Sequence, residues 1–341
     1  MNEKRHEKTI VRGSASKLLA VLQVTRAALA FTAVADAWTL LLLKIPDQPA
    51  PPHLPEELGL TAAVSFLLYC FGMSLNDLLD TRRDRLFAPW RPLPSGRLSP
   101  AAAIVLSLLC LLGALFSAAL LAMYQTGFLV PLSLLMAIVA AGLIVFYNAV
   151  AKFLGAVGLV TLGLVRAVNS LVARPESHFM LLAMFLFTHI TVAGMAAYHM
   201  ESKRPRLKFH DVCIAAGALL GVNGLMLGWM AYHGLWNSWL LHMAEGPGLV
   251  TLVYFGWAVF RYCKPWPNRR TQGQRVILAA MFFLFVYDGS LLLANGQRMA
   301  TLLIAGCGIC SLIAFYALRL AGKGLSIRPQ YRVTRESRRV R

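Results

Sequence analysis

Residues 76–84 read NDLLDTRRD, three aspartates and an asparagine within nine residues, and RPLPSGRLSP follows at 91–100. On a helix of 3.6 residues per turn, Asn76, Asp77, Asp80 and Asp84 fall within about 100° of one face, while Arg82 and Arg85 point largely away. Carboxylates crowded on one face repel and raise each other's pKa unless a cation sits among them. Hard oxygen donors of this kind suit Mg²⁺, which takes one or two protein carboxylates and completes its shell with water and substrate phosphate. The alternative is a solvated acidic turn at a helix end, but the chain has only 15 acidic residues and three lie on this face. Downstream, Arg91 and Arg97 offer planar donors matched to phosphate, and Pro-Leu-Pro-Ser-Gly holds a loop between them with backbone amides available. Ser99-Pro100 restarts a helix, with Ser as N-cap and Pro in the first turn. A metal-binding face beside a basic loop has the chemistry of a diphosphate clamp.

The elements that must position these residues are membrane spans. The chain of 341 residues is 58% hydrophobic and 14% charged, with a mean hydropathy of +0.61, which sets it apart from soluble domains. Apolar runs of about 20 residues, the length a bilayer requires, recur near 18–43, 58–76, 100–122, 127–147, 153–173, 178–199, 211–232, 240–260, 275–294 and 299–320. The expected fold is an all-α polytopic membrane protein, a bundle of nine or ten transmembrane helices. The first run follows a basic N-terminus and contains AVADA, but it continues through WTLLLLKI, too long for a removed signal peptide. It reads as a retained helix. A basic segment at 1–17, a membrane domain at 18–322 and a basic tail at 323–341 complete the organisation.

A net charge of +18 raises nucleic acid as a partner, but the distribution of the charges argues against it. With a cytoplasmic N-terminus, all but five of the 33 Lys and Arg fall in cytoplasmic segments. The exceptions are Lys44, Arg174 and Arg298 on the other side, and Arg26 and Arg166 inside spans. This positive-inside bias puts both termini in the cytoplasm and makes the partner of the basic tail anionic lipid rather than nucleic acid. The six cysteines lie in or beside spans and read as ordinary packing, including the Cys307/Cys310 pair.

NDLLDTRRD followed by RPLPSGRLS resembles the first aspartate-rich motif, N-D-x-x-D-x-x-x-D, and the R-P-L-P-S-G segment of UbiA-superfamily intramembrane prenyltransferases. FYNAVAKFLGAVGLVTLGLVRAVNSL at 146–171 resembles the superfamily's Tyr-x-x-x-x-Lys stretch and following helix, with Tyr147, Lys152, Arg166 and Asn169 in the polar positions. The resemblance implies a helical bundle in a membrane, with a cavity open toward the cytoplasmic face and the lipid. It implies Mg²⁺ as cofactor, an isoprenyl diphosphate as substrate and an aromatic or lipophilic acceptor. Asn76, Asp77, Asp80 and Asp84 would be metal ligands, and Arg91, Arg97, Tyr147 and Asn169, again with Asn76, would meet the diphosphate. Asp77, Asp80, Lys152 and Arg166 would act in catalysis. An arginine at mid-membrane depth is costly unless paired or facing a wet cavity, which independently marks Arg166. A bacterial inner membrane is the expected location.

The chain departs from the superfamily at its second aspartate-rich motif. YHMESKRPRLKFHD stands there, offering Glu201 as a residual metal ligand, then Lys203, Arg204, Arg206 and Lys208, and no further acid until Asp211. Together with YNAVAK, GLVRAVNSL and TVAGMAAYHMES, this also resembles the EboC-like branch, whose members are encoded beside envelope or secondary-metabolite trafficking genes. Two further intramembrane acids, Asp36 and Asp288, would face the cavity, mark helix ends, or pair with Arg26 or Arg166. Three functions remain distinguishable: a prenyltransferase, a catalytically weakened isoprenoid-lipid binder, and a transporter whose ion path uses Asp36, Arg166 and Asp288.

Overall fold

The computed structural model describes residues 16–43, 52–126, 131–175, 180–201, 206–234, 246–265 and 268–324. Most of the basic N-terminal segment, nearly all of the basic tail, Lys44, Lys203 and Arg204 lie outside the described residues. Every regular element described is helical: α1 (Ala27–Leu42), α2 (Leu54–Leu79), α3 (Thr81–Phe87), α4 (Pro100–Thr126), α5 (Leu132–Ala149), a 3₁₀ turn (Ala151–Phe153), α6 (Ala156–Leu171), α7 (Met180–Met200), α8 (Phe209–Tyr232), α9 (Pro247–Cys263), α10 (Arg269–Ala294) and α11 (Arg298–Gly324). Among the described residues eight helices are long and apolar enough to cross a membrane, the first running from Ser16 to Leu42. α6 and α9, of 16 and 17 residues, occupy the other two expected spans. The ten apolar runs therefore each become a helix.

Hydrocarbon lipid offers helices little hydrophobic reason to associate, so close packing and hydrogen bonds between helices must hold the bundle. Small residues do this between α2, α4 and α5, where Ala114, Ala118, Ala137 and Ala140 are fully buried. Ser107 Oγ donates to Ser74 Oγ at 2.8 Å across the same seam. A second core joins α1, α6, α7, α10 and α11 around Leu40, Leu182, Phe187, Leu284 and Leu291. There Ser311 Oγ donates to the Ala28 carbonyl at 2.7 Å. α6 meets α7 at Gly163, where a Cβ would stand 2.7 Å from the Phe187 carbonyl oxygen; only glycine permits that approach. The outer face of α4 (Ile104, Leu108, Leu112, Phe116) and most of α8 are exposed, as lipid-facing surfaces should be.

Candidate functional site

The aspartate stretch runs off the end of α2, through Asp80, into the short helix α3. Asp80 has φ −83° and ψ 0°, which ends α2 without a change of direction. The Asp80 N–H donates to the Asn76 carbonyl at 2.9 Å and the Asp84 N–H to the Asp80 carbonyl at 2.8 Å, so helical bonding carries through the break. This continuity keeps Asp77 and Asp84 on the face that their spacing predicts. The structure shows what stands between the carboxylates: cations of the chain itself. Arg91 Nη1 lies 2.6 Å from Asp84 Oδ2 and 3.7 Å from Asp77 Oδ1, bridging the two. Arg26 Nη2 lies 3.4 Å from the same Asp77 oxygen. Lys152 Nζ lies 2.8 Å from Asp80 Oδ1 and 3.4 Å from Asn76 Oδ1. Asp77 and Asp84 are buried, so these contacts matter far more than surface ion pairs would. Burial pushes the Asp84 carboxyl above the usual carboxylate range, with Asp77 and Asp80 adding to the push and Arg91 opposing it.

Arg26 is a site residue that the sequence offers only as a partner for Asp36 or Asp288; the structure pairs it with Asp77 instead. It interrupts the first span with φ 49° and ψ 38°, the left-handed conformation, and is the one non-glycine with positive φ among the described residues. For a residue with a Cβ this costs about 1–2 kcal/mol, and such strain collects at functional sites. Just upstream, Gln23 Oε1 accepts from Arg97 Nη1 at 2.9 Å, while Arg97 Nη2 donates to the Trp90 carbonyl and Nε to Ser95 Oγ. Burial lowers the pKa of Arg97, but an arginine stays charged. Arg97 therefore ties the Pro-Leu-Pro-Ser-Gly loop to the first span, behind the aspartate face. The expected cap at the start of α4 is present, Ser99 Oγ accepting from the Ala102 N–H at 3.1 Å.

Lys152 is carried by the 3₁₀ turn between α5 and α6, and Asp211 secures that turn. Asp211 Oδ2 accepts from the Lys208 N–H at 2.8 Å, closing the first turn of α8, and Oδ1 accepts from the Ala156 N–H at 3.2 Å, capping α6. Gly155 makes this possible twice over: its φ of +57° suits glycine, and a Cβ there would overlap the Asp211 carboxylate. The second acid of the altered motif region is thus a tether between helices.

The remaining expected residues divide. Tyr147, half-buried, sits in the field of Arg26 and Asp80 and so belongs to the site. Glu201 ends α7 with its side chain against Gly273 of α10. Arg166 and Asn169 are elsewhere: Arg166 Nε donates to Asp36 Oδ2, and Asn169 Nδ2 to the Ala33 carbonyl at 3.3 Å, both binding α6 to α1. Counting 1.5 Å per residue, Arg166 lies about 15 Å further along α6 than Ala156.

Among the described residues no three His, Cys, Asp or Glu side chains gather closely enough to hold a metal ion unaided. The donor set nevertheless fits Mg²⁺, because that ion asks for one or two carboxylates and keeps water or phosphate for the rest. The Lys152 ammonium already draws Asn76 Oδ1 and Asp80 Oδ1 onto one positive charge, and a metal ion held by these two oxygens would take its place.

Residues 28–206 match the model of the UbiA prenyltransferase family. The chain belongs to that family. The match takes in nearly all of α1, the whole of α2 through α7, and the aspartates, Arg91 and Lys152 of the site, with Arg26 just before it, and the eight apolar helices make this member an integral, multi-pass membrane protein. Among solved structures, a digeranylgeranylglyceryl phosphate synthase is 16% identical, with 91% of this chain and 99% of the other covered at a TM-score of 0.47. A UbiA homologue from Archaeoglobus fulgidus bound to GPP and Mg²⁺ is 12% identical, covering 86% and 99% at 0.41. An apo UbiA homologue from Aeropyrum pernix K1 is 17% identical, covering 84% and 97% at 0.43. No curated protein matches.

Proposed function

We propose that the protein transfers an isoprenyl group from an isoprenyl diphosphate to an aromatic or lipophilic acceptor inside the membrane, with Mg²⁺ as cofactor. One observation carries the reading. Three carboxylates (Asp77, Asp80, Asp84) and three cations (Arg26, Arg91, Lys152) interlock where the first span, α2, α3, the Arg91 loop and the 3₁₀ turn meet. Within this set the charges balance three against three, so neither a free dication nor a free diphosphate gains by entering alone. With both bound, Asp77, Asp80 and Asp84 would offer their oxygens to the metal, and Arg26, Arg91 and Lys152, released from them, would turn to phosphate oxygens. Binding of the two is therefore cooperative.

Asn76, Asp77, Asp80 and Asp84 would hold the metal, with Glu201 as a further oxygen donor. Bound Mg²⁺ would supply positive charge to the departing diphosphate. Arg91, Lys152 and Arg26 bind the same group and stabilise the charge it gathers, in a largely water-poor site where fixed cations count most. Tyr147 offers a hydroxyl to a phosphate oxygen. Arg97 holds the loop that carries Arg91, and Arg166 with Asn169 fixes α6 against α1. The isoprenyl chain lies among apolar helices as the bond to its oxygen opens, and the acceptor attacks that carbon.

The domain limits (18–322 within two basic flanks), the cytoplasmic termini and a bacterial inner membrane belong to this proposal, supported by the distribution of Lys and Arg. The quoted 146–171 and 191–202 segments favour the EboC-like branch. A second reading, an isoprenoid-diphosphate binder without turnover, is favoured by one finding: Asp211 is consumed in capping two helices, leaving Glu201 as the acid of the second motif. Isothermal titration with geranyl and geranylgeranyl diphosphate, with and without Mg²⁺, followed by assay of released diphosphate, separates the two. Cooperative binding with release supports the transferase. Binding without release, acceptors present, supports the binder, and no metal-dependent binding contradicts both.

A further inference from the structure

Away from the aspartate site, α1, α6 and α10 enclose a second polar cluster in the core of the bundle. Asp36 and Asp288 are fully buried and Arg166 nearly so. Arg166 Nε donates to Asp36 Oδ2, but among the described residues Arg166 Nη2 and Asp36 Oδ1 have no hydrogen-bond partner and Asp288 meets no cation. Asp288 lies within reach of Asp36 and of Thr39. Two ionised carboxylates can only accept, so an oxygen of one facing an oxygen of the other is repulsive until a proton stands between them. The charge count agrees: two carboxylates face one guanidinium, and the surplus negative charge sits where an uncompensated ion is most expensive.

Among the described residues, the other polar groups near the cluster bring no second lysine or arginine. His189 on α7 donates from Nε2 to the Ala280 carbonyl at 3.1 Å and stacks on Phe185. Tyr287 on α10 stacks on Phe185 as well. Cys307 on α11 donates its Sγ hydrogen to the Phe31 carbonyl. We propose that Asp36 and Asp288 share one proton, and that this cluster is an intramembrane proton-binding site distinct from the diphosphate site. The proton completes the contact between the two carboxyls, leaving Asp36 with Arg166 as an ion pair and Asp288 as a neutral acid that can donate. The three helices are thereby held together with no net charge in the core.

The test uses the full chain in lipid nanodiscs and infrared difference spectra at neutral pH in H₂O and D₂O. Wild type minus Asp288→Asn should show a protonated-carboxyl C=O band that shifts in D₂O. Asp288→Asn, which imitates the neutral acid, should melt at or above the wild-type temperature. The double variant Asp36→Asn/Asp288→Asn, which strands Arg166, should melt well below it. Absence of the band, or a melting loss in Asp288→Asn as large as in the double variant, overturns the proposal. So does stabilisation of the wild type by Na⁺ over K⁺ that Asp288→Asn abolishes, since a metal cation would then occupy the proton's place.

Discussion

Replacing Lys152 by methionine removes a charge while keeping a chain of similar length, and its consequences follow from two distances. The ammonium stands 2.8 Å from Asp80 Oδ1 and 3.4 Å from Asn76 Oδ1, where the proposed metal must also bind. Losing one preorganised donor to a developing anion typically slows an enzyme 10²–10³-fold, about 2.7–4 kcal/mol, so turnover of an isoprenyl diphosphate should fall by roughly that factor. The Asp80 carboxylate, 17% exposed, regains water, which keeps the stability loss near the ~1–3 kcal/mol of an unsatisfied group and below that of a broken, fully buried pair. Mg²⁺ no longer displaces an ammonium. A gain of about 1.4 kcal/mol for the metal lowers its half-saturating concentration about tenfold. Diphosphate release measured against Mg²⁺ concentration reads both effects at once. Slower turnover with tighter metal dependence is the expected split; an unchanged or weakened metal dependence would refute the idea that Lys152 occupies the metal's place.

Two further perturbations follow from the same geometry. Because burial raises the Asp84 carboxyl, the native state holds that proton to higher pH than the unfolded chain. Wild-type stability therefore falls, relative to Asp84→Asn, as pH rises from the ordinary Asp value near ~3.9 through the raised one, and the difference is constant above it; pH-dependent melting of the two proteins checks the sign. Gly155→Ala forces a Cβ onto the Asp211 carboxylate at a positive φ, so the cap on α6 opens, the melting temperature drops and Lys152 loses its position. Activity should fall with it, whereas Gly59→Ala, in open space on α2, should leave both unchanged.

Much of this fold is written in local pattern. Ten apolar runs mark ten helices because a bilayer demands their length, and the helical period puts Asp77 and Asp84 on one face even through the break at Asp80. Ser99 announces the start of α4 by its own side chain. What the sequence conceals are contacts between helices far apart in the chain. Nothing near Arg26 says that it adopts a left-handed conformation and reaches Asp77, 51 positions away. Asp211 looks like a remnant of an acidic motif until the 55-residue separation from Ala156 is closed. The Asp36–Arg166 pair is one of several options for two costly intramembrane charges; the packing of α1 on α6 selects it, and that of α1 on α10 brings Asp288 alongside. Lipid-embedded helices associate through small residues and single hydrogen bonds, which leave no periodic trace to read.

The central claim is that the interlocked acids and bases at the end of α2 hold and ionise an isoprenyl diphosphate. Release of diphosphate from geranylgeranyl diphosphate by the protein in lipid, with and without Mg²⁺, in the wild type and in Asp77→Asn/Asp80→Asn, tests it most directly. The account predicts metal-dependent release by the wild type and a loss of at least about a hundredfold in the variant, the scale of one lost electrostatic contact in a reacting site. Equal release by both proteins, or release indifferent to metal, would contradict it.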